Sequence, residues 1–384
     1  MKSSWVLLII GLFYTSTSHL FAQDPIFTQF QASQIYINPA NTGSDGKLTL
    51  TAQIKEQWGA ISNFKQFPGA FSTQFASVEF AGSKLKNAIG FFFLRNSEGD
   101  ADLETQIAGF NYAYVIPFES RHNLHNIRLG LGVHYNQKSI DWDALLFSDQ
   151  LDNRGPEYFA AQSAHAAYFA QYMINTPKWV ELNPGILYRF NEKGHRGTGA
   201  QFELGLSFSH LLTLYERSFA ESLQGIARES RSRVSLHGSA FFPALQLGNK
   251  GKRFTPIPAF RFERQAEINT FTLGSRFMFM NMGMSLFYQN TLASSISFST
   301  DAIVIGADVS WSVARGQYME AGVSYDLNLN GLNPTSGGSL EVYVKYHYED
   351  KKNKVVCPSV NKAHSERYEN IWHKTTNRKY MNRK

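Results

Sequence analysis

The 384 residues contain one cysteine, Cys357. A lone thiol excludes an intramolecular disulfide framework and a structural zinc site built on clustered cysteines. Long apolar runs are also missing. After the first 22 residues no stretch of 18 or more apolar residues occurs, so the sequence offers no spanning helix. No Pro/Gly/Ser-rich linker divides the chain, which argues against two or three β-sandwich domains in series. Charge is scarce in the body. Of the net +6, five charges come from the tail 361–384, where seven Lys/Arg stand against two Glu, and one more comes from Lys2. The rest is close to neutral, so the basic character describes a tail and no nucleic-acid-binding face. A nucleophile elbow of the G-x-S-x-G type is absent.

The chain does carry an export signal followed by short alternating segments. Lys2 supplies a positive n-region, Trp5 to Tyr14 an apolar h-region, and Leu20-Phe21-Ala22 a cleavage site before Gln23. No cysteine follows the h-region, so lipoprotein processing is not expected. Farther on, Ile127, Leu129, Leu131, Val133 and Tyr135 alternate with Asn126, Arg128, Gly130, Gly132, His134 and Asn136. Near the end, Leu340, Val342, Val344, Tyr346 and Tyr348 alternate with Glu341, Tyr343, Lys345, His347 and Glu349. A period of two puts one set on each face of a strand. The polar sets hold charges, among them Glu203, Arg276, Asp308 and Lys345. A lumen can pair or hydrate these, whereas Arg or Lys on a lipid face at mid-depth costs about 2–4 kcal/mol. Aromatics make up 14% of the chain, as interfacial girdles require.

Fifteen segments read as strands, most of a length that crosses a bilayer tilted. Bacterial single-chain barrels have an even number of strands, with long loops outside and short turns in the periplasm. Dropping one of the segments 163–174, 180–190 and 199–210 restores the parity. It also puts 211–230 on the same side as the long loops 59–69 and 137–162. The expected fold is all-β: a transmembrane antiparallel β-barrel of about 14 strands in the outer membrane. The expected organisation is a signal peptide over 1–22 and an N-terminal periplasmic strap or plug over 23–46. The barrel follows over 47–349, and a basic periplasmic tail over 350–384.

The two ends carry motifs. The mature start reads Gln23-Asp24-Pro25-Ile26-Phe27-Thr28-Gln29, followed by Asn38-Pro39-Ala40-Asn41-Thr42-Gly43 and by Gln57-Trp58. Later come Gly322-Val323-Ser324-Tyr325-Asp326 and Cys357-Pro358. This ordered set resembles the PorP/SprF family, membrane proteins of the type IX secretion system, across almost all of residues 23–360. Lys55 stands where the resemblance leads one to expect Arg, and the tail runs past the usual end. The resemblance implies an outer-membrane barrel of about fourteen strands with no enzymatic activity and no cofactor. It implies a need for the barrel in secretion or surface attachment of particular cargo, which can include a gliding adhesin. The implied partners are the cargo's C-terminal sorting domain, the translocon and periplasmic secretion components, with outer-membrane lipid around the wall.

Asp24, Pro25, Asn38, Pro39, Gly43, Gln57, Trp58, Tyr325 and Asp326 are the candidate site residues, as structural or partner contacts. Proline fixes φ, Asx residues favour turns and Gly43 permits a positive φ, so the stretch before the first strand can fold into a strap or plug. Trp58 at a strand end suits an interfacial girdle, and Tyr325 and Asp326 take opposite faces. Other chemistry is thinner. Asp141, Asp143, Asp149 and Asp152 crowd one loop without an EF-hand spacing. His122 and His125 fall in an expected periplasmic turn with no third zinc ligand in view. A surface hydrolase and a porin or apolar-ligand transporter are the alternatives of other classes.

Overall fold

The computed structural model describes residues 24–45, 48–59, 71–82, 86–99, 103–119, 123–140, 178–192, 200–214, 232–242, 245–247, 252–279, 281–293, 298–314, 316–329 and 337–348. Fourteen antiparallel strands form a closed barrel. In chain order they are β1 (Leu48–Gln57), β2 (Phe71–Ala81), β3 (Asn87–Glu98), β4 (Leu103–Glu119), β5 (Asn123–Ser139), β6 (Lys178–Glu192) and β7 (Gln201–Ser209). The remainder are β8 (Arg233–Phe241), β9 (Lys252–Gln265), β10 (Ile268–Phe279), β11 (Met282–Ala293), β12 (Phe298–Ala314), β13 (Gln317–Asn328) and β14 (Ser339–Tyr348). Each strand pairs with its neighbours in sequence. The last pairs with the first, from Leu48↔Tyr348 to Gln57↔Ser339. Closure leaves no backbone edge to be satisfied in hydrocarbon.

Two strands are interrupted. After β7, His210 takes a positive φ of 56°, and Leu212–Leu214 resumes the pairing against β6. The β8–β9 ladder stops at Ala259↔Ser239 and resumes at Phe254↔Leu245. The break lies opposite Pro256 and Pro258, which have no N–H to donate.

β5 pairs directly with β6, from Asn123↔Glu192 to Gln137↔Lys178. No wall strand fits between them, so 163–174 is the surplus segment of the fifteen, and it lies outside the described residues. Both 180–190 and 199–210 correspond to wall strands. The longest connections, 140–177 and 215–232, share one end with 58–70 and 329–338. The other end carries short turns such as 120–122, 280–281 and 315–316. By the loop asymmetry of outer-membrane barrels the long-loop end is extracellular; it is called the outer end below. Leu48 and Tyr348 lie together at the inner end.

The alternation sorts as the barrel demands. Leu129, Leu131, Val133 and Tyr135 of β5 are exposed on the outer face, as are Leu340, Val342 and Val344 of β14. Between them Arg128, His134, Asn136, Glu341, Lys345 and His347 are buried inward. The polar side is therefore the more buried side. Lumen-facing polar groups lose water only because something else fills the lumen.

Candidate functional site: the filled lumen

Residues 24–45 fill it. The segment contains one helical turn, Gln34–Ile37, and a 3-10 turn, Pro39–Asn41, and most of its side chains are buried. Its apolar residues pack on the few apolar side chains of the inner face. Phe27 meets Tyr36 and Phe75 edge-on at 6.1 and 5.8 Å, and Phe30 meets Phe287 at 5.8 Å. This apolar core lies between plug and wall, inside a shell of polar residues.

The wall holds the plug largely by its main chain. Lys55 Nζ donates to the Ile26 carbonyl at 3.0 Å, and an Arg261 nitrogen to that of Phe27 at 2.9 Å. Glu341 accepts from the N–H groups of Thr28 and Gln29, both at 2.7 Å. Asn111 donates to Ile35 O at 2.8 Å and Ser207 to Ile37 O at 2.6 Å. Arg128 donates to both Ala40 O and Thr42 O, and Glu79 accepts from Gly43 N at 2.8 Å. Buried carbonyls left unpaired would cost about 1–3 kcal/mol each, so these side chains are what allow a non-regular segment inside the barrel.

The turn Asn38–Thr42 sits in a notch floored by glycines. A Cβ on Gly130 would lie 2.1 Å from Ala40 N, one on Gly185 2.1 Å from Asn38 Oδ1, and one on Gly90 2.8 Å from Thr42. Gly130 and Gly185 face each other across β5 and β6. Asn38 caps its own turn, its Oδ1 accepting from Ala40 N at 2.9 Å, while its Nδ2 reaches Ile186 O at 3.1 Å. Pro39 follows as the first residue of the 3-10 turn. Gly43 ends the turn at φ 66°, where a Cβ would also meet Ala88 at 2.4 Å.

Ion pairs fix both ends of the segment. Asp24 lies 2.7 Å from His210 Nε2 and 3.1 Å from Arg233, and its N–H donates to Gln265. Pro25 follows, half-buried. At the other end Asp45 pairs with Lys345 at 2.9 Å. Between them, Arg233 donates to the Tyr36 hydroxyl at 3.3 Å. Lys55 pairs with Asp326 at 3.2 Å, and Thr28 donates to the same carboxylate at 2.7 Å. On the wall alone, Arg276 bridges Asp308 and Glu320, and Arg189 pairs with Glu203 at 2.9 Å.

The nine candidate residues fall into two groups. Asp24, Pro25, Asn38, Pro39, Gly43 and Asp326 lie in the plug–wall contact. Gln57, Trp58 and Tyr325 lie at the outer rim of β1 and β13. Trp58, at φ 59°, donates its N–H to Gly338 O at 2.7 Å and meets Phe71 edge-on at 5.0 Å. The Tyr325 hydroxyl donates to Gly337 O at 2.9 Å. Gln57 pairs with Ser339 and Phe71. Tyr325 and Asp326 do take opposite faces, so the pair spans the wall.

Sequence reasoning missed the receiving side of the contact: Glu341, Arg128, Glu79, Gly130 and Gly185. A usable signal was present, because a glycine on a polar lumen face marks close backbone approach. His125 is a correction. It is not in a turn but in β5, stacked on Phe118 at 5.4 Å with Nδ1 2.8 Å from the Tyr188 hydroxyl. His122, the four loop aspartates and Cys357 lie outside the described residues. Among the described residues no three His, Cys, Asp or Glu side chains are grouped to hold a metal. A cavity beside the plug has about 20 Å³, room for a water or two. It is lined by plug residues 28–32 and by the Arg276 cluster.

The sequence matches, over residues 19–346, the family described as type IX secretion system membrane protein PorP/SprF. The match covers most of the chain, which belongs to that family. No curated protein matches it. Among solved structures, the chain is similar to the CymD monoaromatic hydrocarbon channel, at 9% identity and a TM-score of 0.41, covering 86% of this chain and 95% of that one. CdiB from Acinetobacter baumannii is 8% identical at a TM-score of 0.40 over 78% of this chain, which spans 60% of CdiB. A FadL homologue of Pseudomonas aeruginosa is 9% identical at a TM-score of 0.36, covering 83% of this chain and 94% of that one.

Proposed function

We propose that this PorP/SprF family barrel supports secretion or surface attachment of particular cargo by type IX secretion, as a docking body and not as a conduit. Its partners in this reading are the cargo's C-terminal sorting domain, the translocon and periplasmic secretion components. A gliding adhesin is one cargo of the right kind. The observation that carries the reading is the filled lumen. A segment of the chain runs through it, and a cavity between that segment and the Arg276 cluster has room for only a water or two. Contacts with partners then fall to the two ends of the barrel, its loops and the tail 350–384. The reading assigns no catalytic step. It treats Gln57, Trp58 and Tyr325 as rim residues and the six lumen-side candidates as contacts between plug and wall.

The test is recovery of the intact protein from outer membranes in mild detergent, with mass spectrometry of what accompanies it. Secretion components and a protein bearing a C-terminal sorting domain are expected. Recovery of the barrel alone from membranes that contain both would overturn the reading. Planar-bilayer recording separates the alternative. The purified barrel should be electrically silent, and a stable open channel would favour a porin or transporter.

A further inference from the structure

The plug's contacts follow one order along the barrel. Asp24 is held by Arg233, the first residue of β8, by His210 just past β7, and by Gln265, the last residue of β9. All three stand at the outer end. Ile26 and Thr28 meet Lys55 and Asp326, each two residues from the outer end of its strand. Ile35 and Ile37 reach Asn111 and Ser207 farther down. Thr42 and Gly43 meet Arg128 and Glu79, near the inner ends of β5 and β2. The chain then enters β1 at Leu48, at the inner end.

We infer that the plug is laid down the lumen from outside to inside, so that residues preceding Asp24 leave the barrel at its outer mouth. The even strand number fixes Leu48 and Tyr348 on the periplasmic side. The plug crosses the membrane once more, within the lumen, and reverses the side of the amino terminus. Asp24 and Tyr348, the first and last described residues, therefore lie at opposite ends of the barrel. This departs from the rule that an even barrel keeps both termini in the periplasm, because the rule counts wall strands only.

The floor of the outer mouth is made by the plug's own beginning, with Asp24 partly open to solvent at 19% of its side chain.

Side-specific labelling tests this on the full chain. The single native cysteine, Cys357, lies after β14 and serves as the periplasmic control. A Gly-Ser-Cys-Gly-Ser insertion between Gln23 and Asp24, which keeps the cysteine away from the cleavage site, is made in a Cys357→Ala background, and folding of both chains is checked by heat-modifiable migration. A membrane-impermeant maleimide should label the inserted cysteine on intact cells. It should label native Cys357 only after the outer membrane is permeabilised. A short epitope placed before Gln23 and read by antibody on intact cells covers a shielded thiol. If neither the thiol nor the epitope is detected on intact cells, the inference is overturned, whether or not permeabilisation reveals them. The experiment does not depend on the cargo reading, so either can fail alone.

Discussion

On the outer face of the wall one chemistry repeats. Leu129, Leu131, Val133, Leu340, Val342 and Val344 are exposed, and any apolar side chain of similar volume satisfies lipid equally well. On the inner face many residues have a particular partner. Glu341 takes two plug N–H groups, Arg128 two plug carbonyls, and Gly130 gives way to Ala40. The same strands alternate between the two regimes at every residue. The outer face needs only a class of side chain, whereas the inner face needs a named side chain at a named height. Substitutions on the two faces should therefore differ in kind.

The largest contrast is expected at Lys55, whose ammonium is buried with Asp326 and Glu341 at 3.2 and 4.0 Å. Lys55→Ala strands two carboxylates in the lumen and should destabilise the folded barrel by about 3–5 kcal/mol. Lys55→Arg keeps the charge and should cost much less. Urea midpoints in detergent or lipid decide it, and equal midpoints for the two variants would show the pair to be ornamental. The outer face breaks only when its class is violated. Leu131, at the centre of β5 and 47% exposed, should tolerate Leu131→Met. Leu131→Arg should cost about 2–4 kcal/mol if that position faces hydrocarbon. A cost-free arginine would place the membrane elsewhere.

The difference between the faces also explains what could be read from the sequence. A period of two needs no partner to be visible, so the alternation in 126–136 and 340–348 gave the faces of β5 and β14 directly. Parity and loop length reduced fifteen segments to fourteen strands because both are properties of a closed wall. The plug was harder. Asn38-Pro39 and Gly43 announce a turn, but nothing local says that the turn sits on Gly130 and Gly185, more than eighty residues away in the chain. Long-range pairs such as Thr28 with Asp326 and Asp45 with Lys345 are products of barrel closure. The contact between Tyr36 and Arg233 is another. Lys55 was visible only as a departure from an expected arginine, and its role needed Asp326 and Glu341 beside it.

A smaller effect separates close packing from charge. Gly130→Ala adds one methyl in the notch, 2.1 Å from a backbone nitrogen that cannot rotate away. Overpacking of this kind costs about 1–3 kcal/mol. The neighbouring change Leu129→Ile, on the other face, should fall below that. If the plug yields before the wall, Gly130→Ala should also produce intermittent conductance in a bilayer that the parent barrel lacks. Loss of stability with no conductance would mean that the wall distorts instead.

The smallest expected effect is a dependence on pH that belongs to the plug alone. Asp24 is paired with His210 and Arg233 and Asp45 with Lys345, so each carboxylate favours the folded state while it is ionised. That contribution is fully present above the ordinary carboxylate value of about 4 and is lost as pH falls and the carboxylates take up protons. The thermal midpoint of the barrel should be level with respect to these two groups from pH 7 to about 5 and decline below about 4. Asp24→Asn should lower the midpoint at neutral pH, because His210 and Arg233 lose their shared partner, and should flatten the acid decline. The outer face carries no group that titrates with it, so Leu129→Ile should leave the slope unchanged. If Asp24→Asn declines as steeply as the parent chain, the acid sensitivity lies in the wall clusters and not in the anchor of the plug.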